Sequence, residues 1–116
     1  MKDELKPVIL KDASGAKYTL EFNRAILAKM DEEGFQPENI PDKPFVHLPK
    51  FFHYAFLMHH PDITEEETDA FIDKLGGLPQ VMINRLVELY RNAVLSLFYD
   101  ELEEGTQKNA EMTFEL

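Results

Sequence analysis

The sequence predicts a mainly α-helical domain with a small N-terminal β-hairpin, an α+β fold in which a helical bundle surrounds a central apolar helix at residues 45–60. Three observations support this fold class. The segment FVHLPKFFHYAFLMHH is apolar on nearly all sides when it is placed on a helix, so other elements have to cover it. Two early stretches have strand character and enclose a turn. Three further stretches repeat apolar residues at helical spacing.

The composition indicates a single folded domain. The chain has 116 residues, of which 44% are hydrophobic, and it contains no cysteine. The absence of cysteine excludes disulfides, thiolate catalysis and cysteine-bound zinc. We predict one helical domain with its hairpin over residues 1–105, and a C-terminal tail over residues 106–116 that is either strand-like or flexible.

The N-terminal sequence MKDELKPV has no apolar run of the length that a signal peptide needs. Residues 45–60 are also too short to span a membrane, which takes about 20 apolar residues. We therefore expect a cytoplasmic protein without a membrane partner.

The hairpin is predicted from residues 6–11 and 17–22, PVILKD and KYTLEF, around a turn that contains Ser14 and Gly15. Apolar and polar residues alternate in the second strand. Because an isolated two-stranded ribbon is only marginally stable, the hairpin needs the helical body or a neighbouring subunit to hold it.

The first helix is predicted from Arg24 to Glu33, with Asn23 as its N-cap. Gly34 stands where a left-handed C-terminal cap is expected, and Phe35 can then fold back onto the helix. Residues 36–44 contain three prolines and are predicted to form a loop.

The central helix has two apolar stripes, Leu48, Phe52 and Ala55 in one and Phe51, Tyr54 and Met58 in the other. Pro49 leaves two alternatives. It either lies in the first turn of a helix that starts near Leu48, or it lies within a longer helix that starts near Pro44 and kinks it. Asp42 is a candidate N-cap, and Pro61 is expected to end the helix.

Two more helices follow. Thr64 and Glu67 form a capping-box pattern that predicts a helix from Glu65, which the glycines at 76 and 77 end. Residues 78–103 carry the longest helical signal, with Pro79 suited to a first turn. In the tail, Ala110, Met112, Phe114 and Leu116 alternate with polar residues. This pattern indicates either a strand that pairs with the hairpin or with another chain, or a loosely ordered terminus.

The net charge is −10, and it is unevenly distributed. Residues 1–58 contain 8 Lys and Arg against 9 Asp and Glu, whereas residues 59–116 contain 4 against 13, so the two halves carry −1 and −9. The acidic half repels nucleic acid and anionic lipid. It suits a basic protein partner, or it simply keeps the chain dissolved.

No motif predicts catalysis, a cofactor or a metal. The four histidines, His47, His53, His59 and His60, contain no pair at the i, i+4 spacing that helical metal sites use. The sequence also lacks a nucleophile elbow and a phosphate-binding glycine loop. Residues 65–103 have a weak helix-turn-helix pattern, but its first helix is acidic and has the wrong sign for DNA phosphates. We therefore predict a protein that is not an enzyme and does not bind nucleic acid.

Several stretches of the sequence resemble one family. They are YTLEFNR at residues 18–24, the run DKPFVHLPKFFHYAFLMHHPDIT, the following LGGLP, the helical RLVELY and the ending KNAEMTFEL. Together they are similar to the tail assembly chaperones of siphophages and prophages of Gram-positive bacteria. The likeness extends from residue 18 to the end of the chain.

The resemblance implies a small, mostly helical fold without catalysis. It also implies a chaperone that coats the tape-measure protein and recruits tail-tube subunits, and that in many phages has a longer frameshifted form. We predict self-association and candidate contacts at Phe51, Tyr54, Met58, Met112, Phe114 and Leu116. The alternative from another class is an acidic regulatory or antirepressor-type protein that masks a basic surface.

Overall fold

The computed structural model describes residues 5–97 and residue 115. The described residues form strands β1 (Val8–Lys11) and β2 (Lys17–Leu20), helices α1 (Arg24–Glu32), α2 (Pro44–Tyr54), α3 (Glu65–Leu75) and α4 (Gln80–Leu95), and a 3₁₀ turn at Pro37–Asn39. The predicted mainly helical α+β class with an N-terminal hairpin is confirmed. The predictions for residues 98–114 and 116, including the alternating tail, lie outside the described residues.

The hairpin is antiparallel, and its register pairs Val8 with Leu20 and Lys11 with Lys17. Its turn is held by the Asp12 carboxylate, which accepts hydrogen bonds from the backbone N–H groups of Ser14 and Ala16 at 2.9 and 3.0 Å. The Ser14 hydroxyl also donates to this carboxylate, and it lowers the pKa of Asp12 below its ordinary value. This side-chain turn is the type that Asp favours between two strands.

The outer edge of β2 is covered by the segment that follows α2. The backbone N–H of Glu21, just after the strand, donates to the carbonyl oxygen of Ala55 at 2.9 Å. The N–H of Thr19 donates to Nε2 of His60 at 3.0 Å. The helical body thus supplies the support that the ribbon was predicted to need, and Leu20 is completely buried against it.

Both caps of α1 form as predicted. The Asn23 side chain accepts from the backbone N–H of Ile26 at 2.9 Å. At the other end, Gly34 takes a positive φ of 78°, its N–H donates to Asp31, and the N–H of Phe35 donates to Met30. These two bonds form a Schellman motif, which turns the Phe35 side chain into the core.

Helix α2 begins at Pro44, which confirms the start of the longer predicted alternative, and Pro49 lies inside the helix. Pro49 has no N–H to donate to the carbonyl of Phe45, four residues earlier. The prediction of Asp42 as the N-cap is wrong, because Lys43 occupies that position and makes no side-chain capping bond.

The predicted end of this helix at residue 60 is also wrong, because α2 ends at Tyr54 and residues 55–59 form turns. Here the N–H groups of Phe56 and Leu57 donate three residues back, to His53 and Tyr54. Pro61 disfavours a helical conformation at the residue before it. In addition, the Ala55 carbonyl accepts from the hairpin, so it does not continue the helical ladder.

Helix α3 has the predicted capping box. Thr64 accepts from the N–H of Glu67 at 3.1 Å, and the Glu67 carboxylate accepts from the N–H of Thr64 at 3.0 Å. Gly76 ends the helix in the left-handed conformation, at φ 78°. Both predicted boundaries of this helix are therefore confirmed.

Helix α4 spans Gln80–Leu95, with Pro79 as its N-cap. Its predicted continuation over residues 98–103 lies outside the described residues, and the helix itself ends at Leu95, before turn residues 96 and 97. At this end the Ser96 hydroxyl donates to the carbonyl of Ala93 at 2.6 Å. Such a local side-chain bond gives a backbone carbonyl a partner outside the helical ladder.

The core lies between the second half of α2, the hairpin and the inner faces of α1 and α4. It contains Leu20, Phe22, Ile26, Met30, Phe35, Phe51, Phe52, Tyr54, Ala55, Phe56, Leu57, Met82, Leu86, Leu89 and Ala93. The first turn of α2 does not take part in it, since Phe45 is 95% exposed. None of the helices within residues 5–97 is both long enough and apolar enough to cross a membrane.

Candidate protein-binding surface

The candidate contact residues on α2 lie mostly inside the protein. Phe51 is 1% exposed, and its ring stacks on Phe22 with 5.1 Å between ring centroids. Tyr54 is also buried, whereas Met58 is half-buried at the edge of the core. In this structure Phe51 and Tyr54 therefore contact the protein's own core. The other three candidates, Met112, Phe114 and Leu116, lie outside the described residues.

Tyr54 links the ends of two helices. Its hydroxyl donates a hydrogen bond to the carboxylate of Glu33, the residue that follows α1. Burial raises the pKa of the Tyr54 phenol, and the bond from Tyr54 lowers the pKa of Glu33. Lys29 also pairs with Glu33, at 2.9 Å. The Tyr54–Glu33 bond joins the end of α2 to the end of α1 and leaves the Tyr54 hydroxyl occupied within the chain.

The most exposed large apolar side chain among the described residues is Phe45, in the first turn of α2. Its neighbour Val46 is 53% exposed. The apolar pattern of residues 45–60 predicts that Phe45 is covered, and Phe45 is not among the predicted contact residues. A usable signal was its position beside Pro44, which marks the first turn of a helix, where fewer neighbours are available to cover a side chain.

Phe45 lies in a cleft between α2 and α3, which we call the Phe45 cleft. Its volume is about 480 Å³, and it is lined by Phe45, Val46, Pro49 and Lys50 from α2 and by Glu65, Asp69, Ile72 and Asp73 from α3. The α2 side is mainly apolar, whereas the α3 side is mainly acidic. Exposed apolar surface beside charged groups is typical of a site that contacts another molecule.

The acidic side of the cleft follows from helical spacing. Glu65, Asp69 and Asp73 are separated by four residues each, so one face of α3 presents all three carboxylates. In the part of the chain that the structure describes, the ion pairs are Lys29–Glu33 and Arg85–Glu88, and the Glu21 carboxylate contacts the His59 ring; none of these contacts involves the three carboxylates of α3. Their charge is therefore available to a partner.

A second apolar groove of about 640 Å³ lies between α1 and the end of α4. Its lining includes Leu27, Met30, Phe35, Val94 and Leu97. Arg24 and Asp31, which also line it, carry one charge of each sign. The groove thus offers apolar area but has no net charge to select a partner.

The histidines make separate contacts instead of one cluster. Nδ1 of His53 lies 3.1 Å from Oγ1 of Thr68, a buried hydroxyl that donates to the carbonyl of Glu65. Nε2 of His59 lies 2.8 Å from the Glu21 carboxylate. His60 accepts from β2, as described above. Within residues 5–97, no three side chains of the metal-ligating types come together.

Comparison with protein families gives a match over the whole chain, residues 1–116, to the family described as "Domain of unknown function (DUF5055)". The chain belongs to the DUF5055 family. No curated protein and no solved structure matches it.

The half-buried His53 of this DUF5055 member gives its stability a pH dependence. Burial lowers the pKa of His53 below its ordinary value of 6.5, so the folded state favours the neutral ring. Between the lowered pKa and 6.5 the unfolded chain binds more protons, and the free energy of unfolding falls as the pH falls. We expect urea unfolding at pH 7 and pH 5 to show a smaller loss for His53→Asn than for the wild type.

Asparagine is a suitable replacement because its amide can still donate to Thr68 and does not titrate. His59→Asn is the matched control, since it changes an exposed histidine and leaves the His53 contribution in place. An equal loss of stability between pH 7 and pH 5 in His53→Asn and the wild type would show that this DUF5055 chain does not owe its acid sensitivity to His53.

Proposed function

We propose that the protein is a non-enzymatic tail assembly chaperone of a siphophage or prophage, which binds the tape-measure protein and recruits tail-tube subunits during tail assembly. The sequence resemblance described above motivates this function. The observation that carries it is the Phe45 cleft, where an almost fully exposed phenylalanine lies beside an acidic helix face.

A chaperone of this kind has to combine two surface properties. It needs apolar side chains that a client can cover, and covering one large apolar side chain contributes about 1.5–3 kcal/mol. It also has to remain dissolved before the client arrives, which a net charge of −10 favours. Phe45 and Val46 supply the first property, and the carboxylates of α3 supply the second.

The proposal includes the place and form in which the chaperone acts. We infer that it works in the host cytoplasm as a homo-oligomer, and that the second half of residues 45–60, rather than the whole segment, forms the apolar centre of each helical bundle. The buried rings of Phe51, Phe52 and Phe56 support this role for the second half of the segment. The exposed first turn is then the part of the same segment that remains for contacts with other chains.

Co-expression with the tape-measure protein from the same gene neighbourhood tests the function. We expect the tape-measure protein to be soluble and to co-purify with the chaperone, and to aggregate when it is expressed alone. The proposal fails if the tape-measure protein stays soluble by itself and no complex is recovered.

The unpaired carboxylates of α3 favour one alternative, an acidic regulatory or antirepressor-type protein that covers a basic surface. Salt distinguishes the two functions, because about 1 M salt shortens the screening length to about 3 Å. A complex held mainly by charge should dissociate on a size-exclusion column in such a buffer. A chaperone complex with an apolar centre should persist.

A further inference from the structure

We propose that the Phe45 cleft binds a basic amphipathic helix of the partner protein. The apolar stripe of that helix lies against Phe45, Val46 and Ile72, and its Lys or Arg side chains lie beside the carboxylates of α3. This inference rests on the proposed function, because it names the kind of segment in the client that the chaperone holds.

The shape of the cleft suits a helix. It lies between the first half of α2 and the exposed face of α3, and the residues that line α3 run from Glu65 to Asp73. Glu65 and Asp73 are eight positions apart on α3, a rise of about 12 Å, so this side of the cleft extends over roughly two helical turns. Amphipathic helices that bind in apolar grooves use anchors at the i, i+3, i+4 and i+7 positions.

The charged side chains of the cleft select the sign of the partner's charge and the rotation of the bound helix about its axis. The three carboxylates recur once per turn of α3, so cations at i, i+4 and i+8 on a partner helix can lie beside all three. Lys50 on the opposite side of the cleft disfavours cations there. A bound helix therefore turns its basic flank towards α3 and its neutral or acidic flank towards α2.

A second copy of this chain is a poor occupant. No α-helix among the described residues carries three cations, since α1 has Arg24 and Lys29, and α4 has Arg85 and Arg91. Residues 98–116 contain 6 acidic residues against 1 lysine, a net charge of −5, so the C-terminal segment would be repelled by the α3 face. The charge pattern thus indicates a different, basic protein.

A synthetic helical peptide provides the probe. It has 18 residues, a leucine stripe on one side and three lysines at one-turn intervals along the edge of that stripe; its matched control has glutamate at the three lysine positions. We expect fluorescence anisotropy with the full-length protein to show at least tenfold tighter binding of the basic peptide. Equal binding of the two peptides, or no binding of the basic one, would overturn the inference.

Two exposed side chains in the cleft are then changed. Phe45→Ala should weaken binding of the basic peptide about tenfold or more, because the apolar anchor is lost. The matched control is Val81→Ala, which shortens another exposed apolar side chain outside the cleft and should leave the affinity unchanged. Both residues are exposed, so neither change should unfold the protein.

Asp69→Asn should weaken binding of the basic peptide about two- to fivefold and reduce its dependence on salt. Glu66→Gln removes the same charge from the same helix without touching the cleft, and it should leave the affinity close to the wild-type value. If Phe45→Ala and Asp69→Asn bind the peptide like the wild type, the basic helix binds elsewhere and the inference is wrong.

The same variants separate this inference from the proposed function. If wild type, Phe45→Ala and Asp69→Asn all recover the tape-measure protein equally, the chaperone function stands and the assignment of this cleft is overturned. If the basic peptide binds in the cleft but the wild type recovers no tape-measure complex, the proposed function fails, and the cleft accepts a basic helix of another protein.

Discussion

Replacing Phe52 by alanine is expected to lower the free energy of unfolding by about 3–5 kcal/mol, the usual cost of removing a buried aromatic ring. Phe52 is 0% exposed, and its ring packs edge-on against Phe56 with 5.0 Å between the centroids. The neighbouring side chains belong to several elements, so they cannot all move to fill the space. Urea denaturation followed by circular dichroism measures the change.

Phe45→Ala is the matched control for this variant. It removes the same side chain from the same helix, but at a position that is exposed to solvent. Exposed substitutions of this kind usually change stability by about 0.5 kcal/mol or less. If Phe45→Ala destabilised the protein as much as Phe52→Ala, the division of α2 into an exposed first turn and a buried second half would be wrong.

Leu20→Ala should also be strongly destabilising, by about 2–5 kcal/mol. Leu20 ends β2 and is fully buried, and the bond from Glu21 to Ala55 fixes the strand beside the segment after α2. Loss of this side chain leaves a cavity where the hairpin meets the helices. The loss should appear in one cooperative unfolding transition, because the hairpin and the helices share that core.

The matched control for the hairpin is Ile9→Ala. Ile9 lies on the paired strand opposite Thr19, and it is 47% exposed. We expect this change to cost less than about 1 kcal/mol, because much of the side chain is already in water. A small effect of Leu20→Ala, or a separate early transition for the hairpin, would mean that the ribbon is an appendage and not part of the core.

Local signals predicted the elements whose chemistry is complete within a few residues. The capping box of Thr64 and Glu67 and the Schellman motif at Gly34 each need only groups from neighbouring residues. The sequence therefore predicts the start of α3 and the end of α1 correctly. The end of α2 lies earlier than the spacing predicts. In α2, a distant residue, Glu21, bonds to the Ala55 carbonyl, and spacing along one segment does not report such a partner.

The candidate site could not be located from spacing. Phe45 and Phe52 are seven residues apart, so they lie on nearly the same side of α2, and a sequence pattern gives them the same environment. One is nevertheless almost fully exposed and the other completely buried. The difference arises because the other elements cover the side chain of Phe52 in the second half of α2 but not that of Phe45 in its first turn. Which side chains are covered depends on how the elements pack in the folded protein.

The sequence by itself determined the fold class, most helix starts and the acidic second half, since these depend on composition and on contacts between neighbours. Only the tertiary structure decided which aromatic side chains are enclosed and that the carboxylates of α3 lie beside Phe45. The physical reason is that burial and charge proximity depend on elements far apart in the chain, whose relative placement local periodicity does not specify.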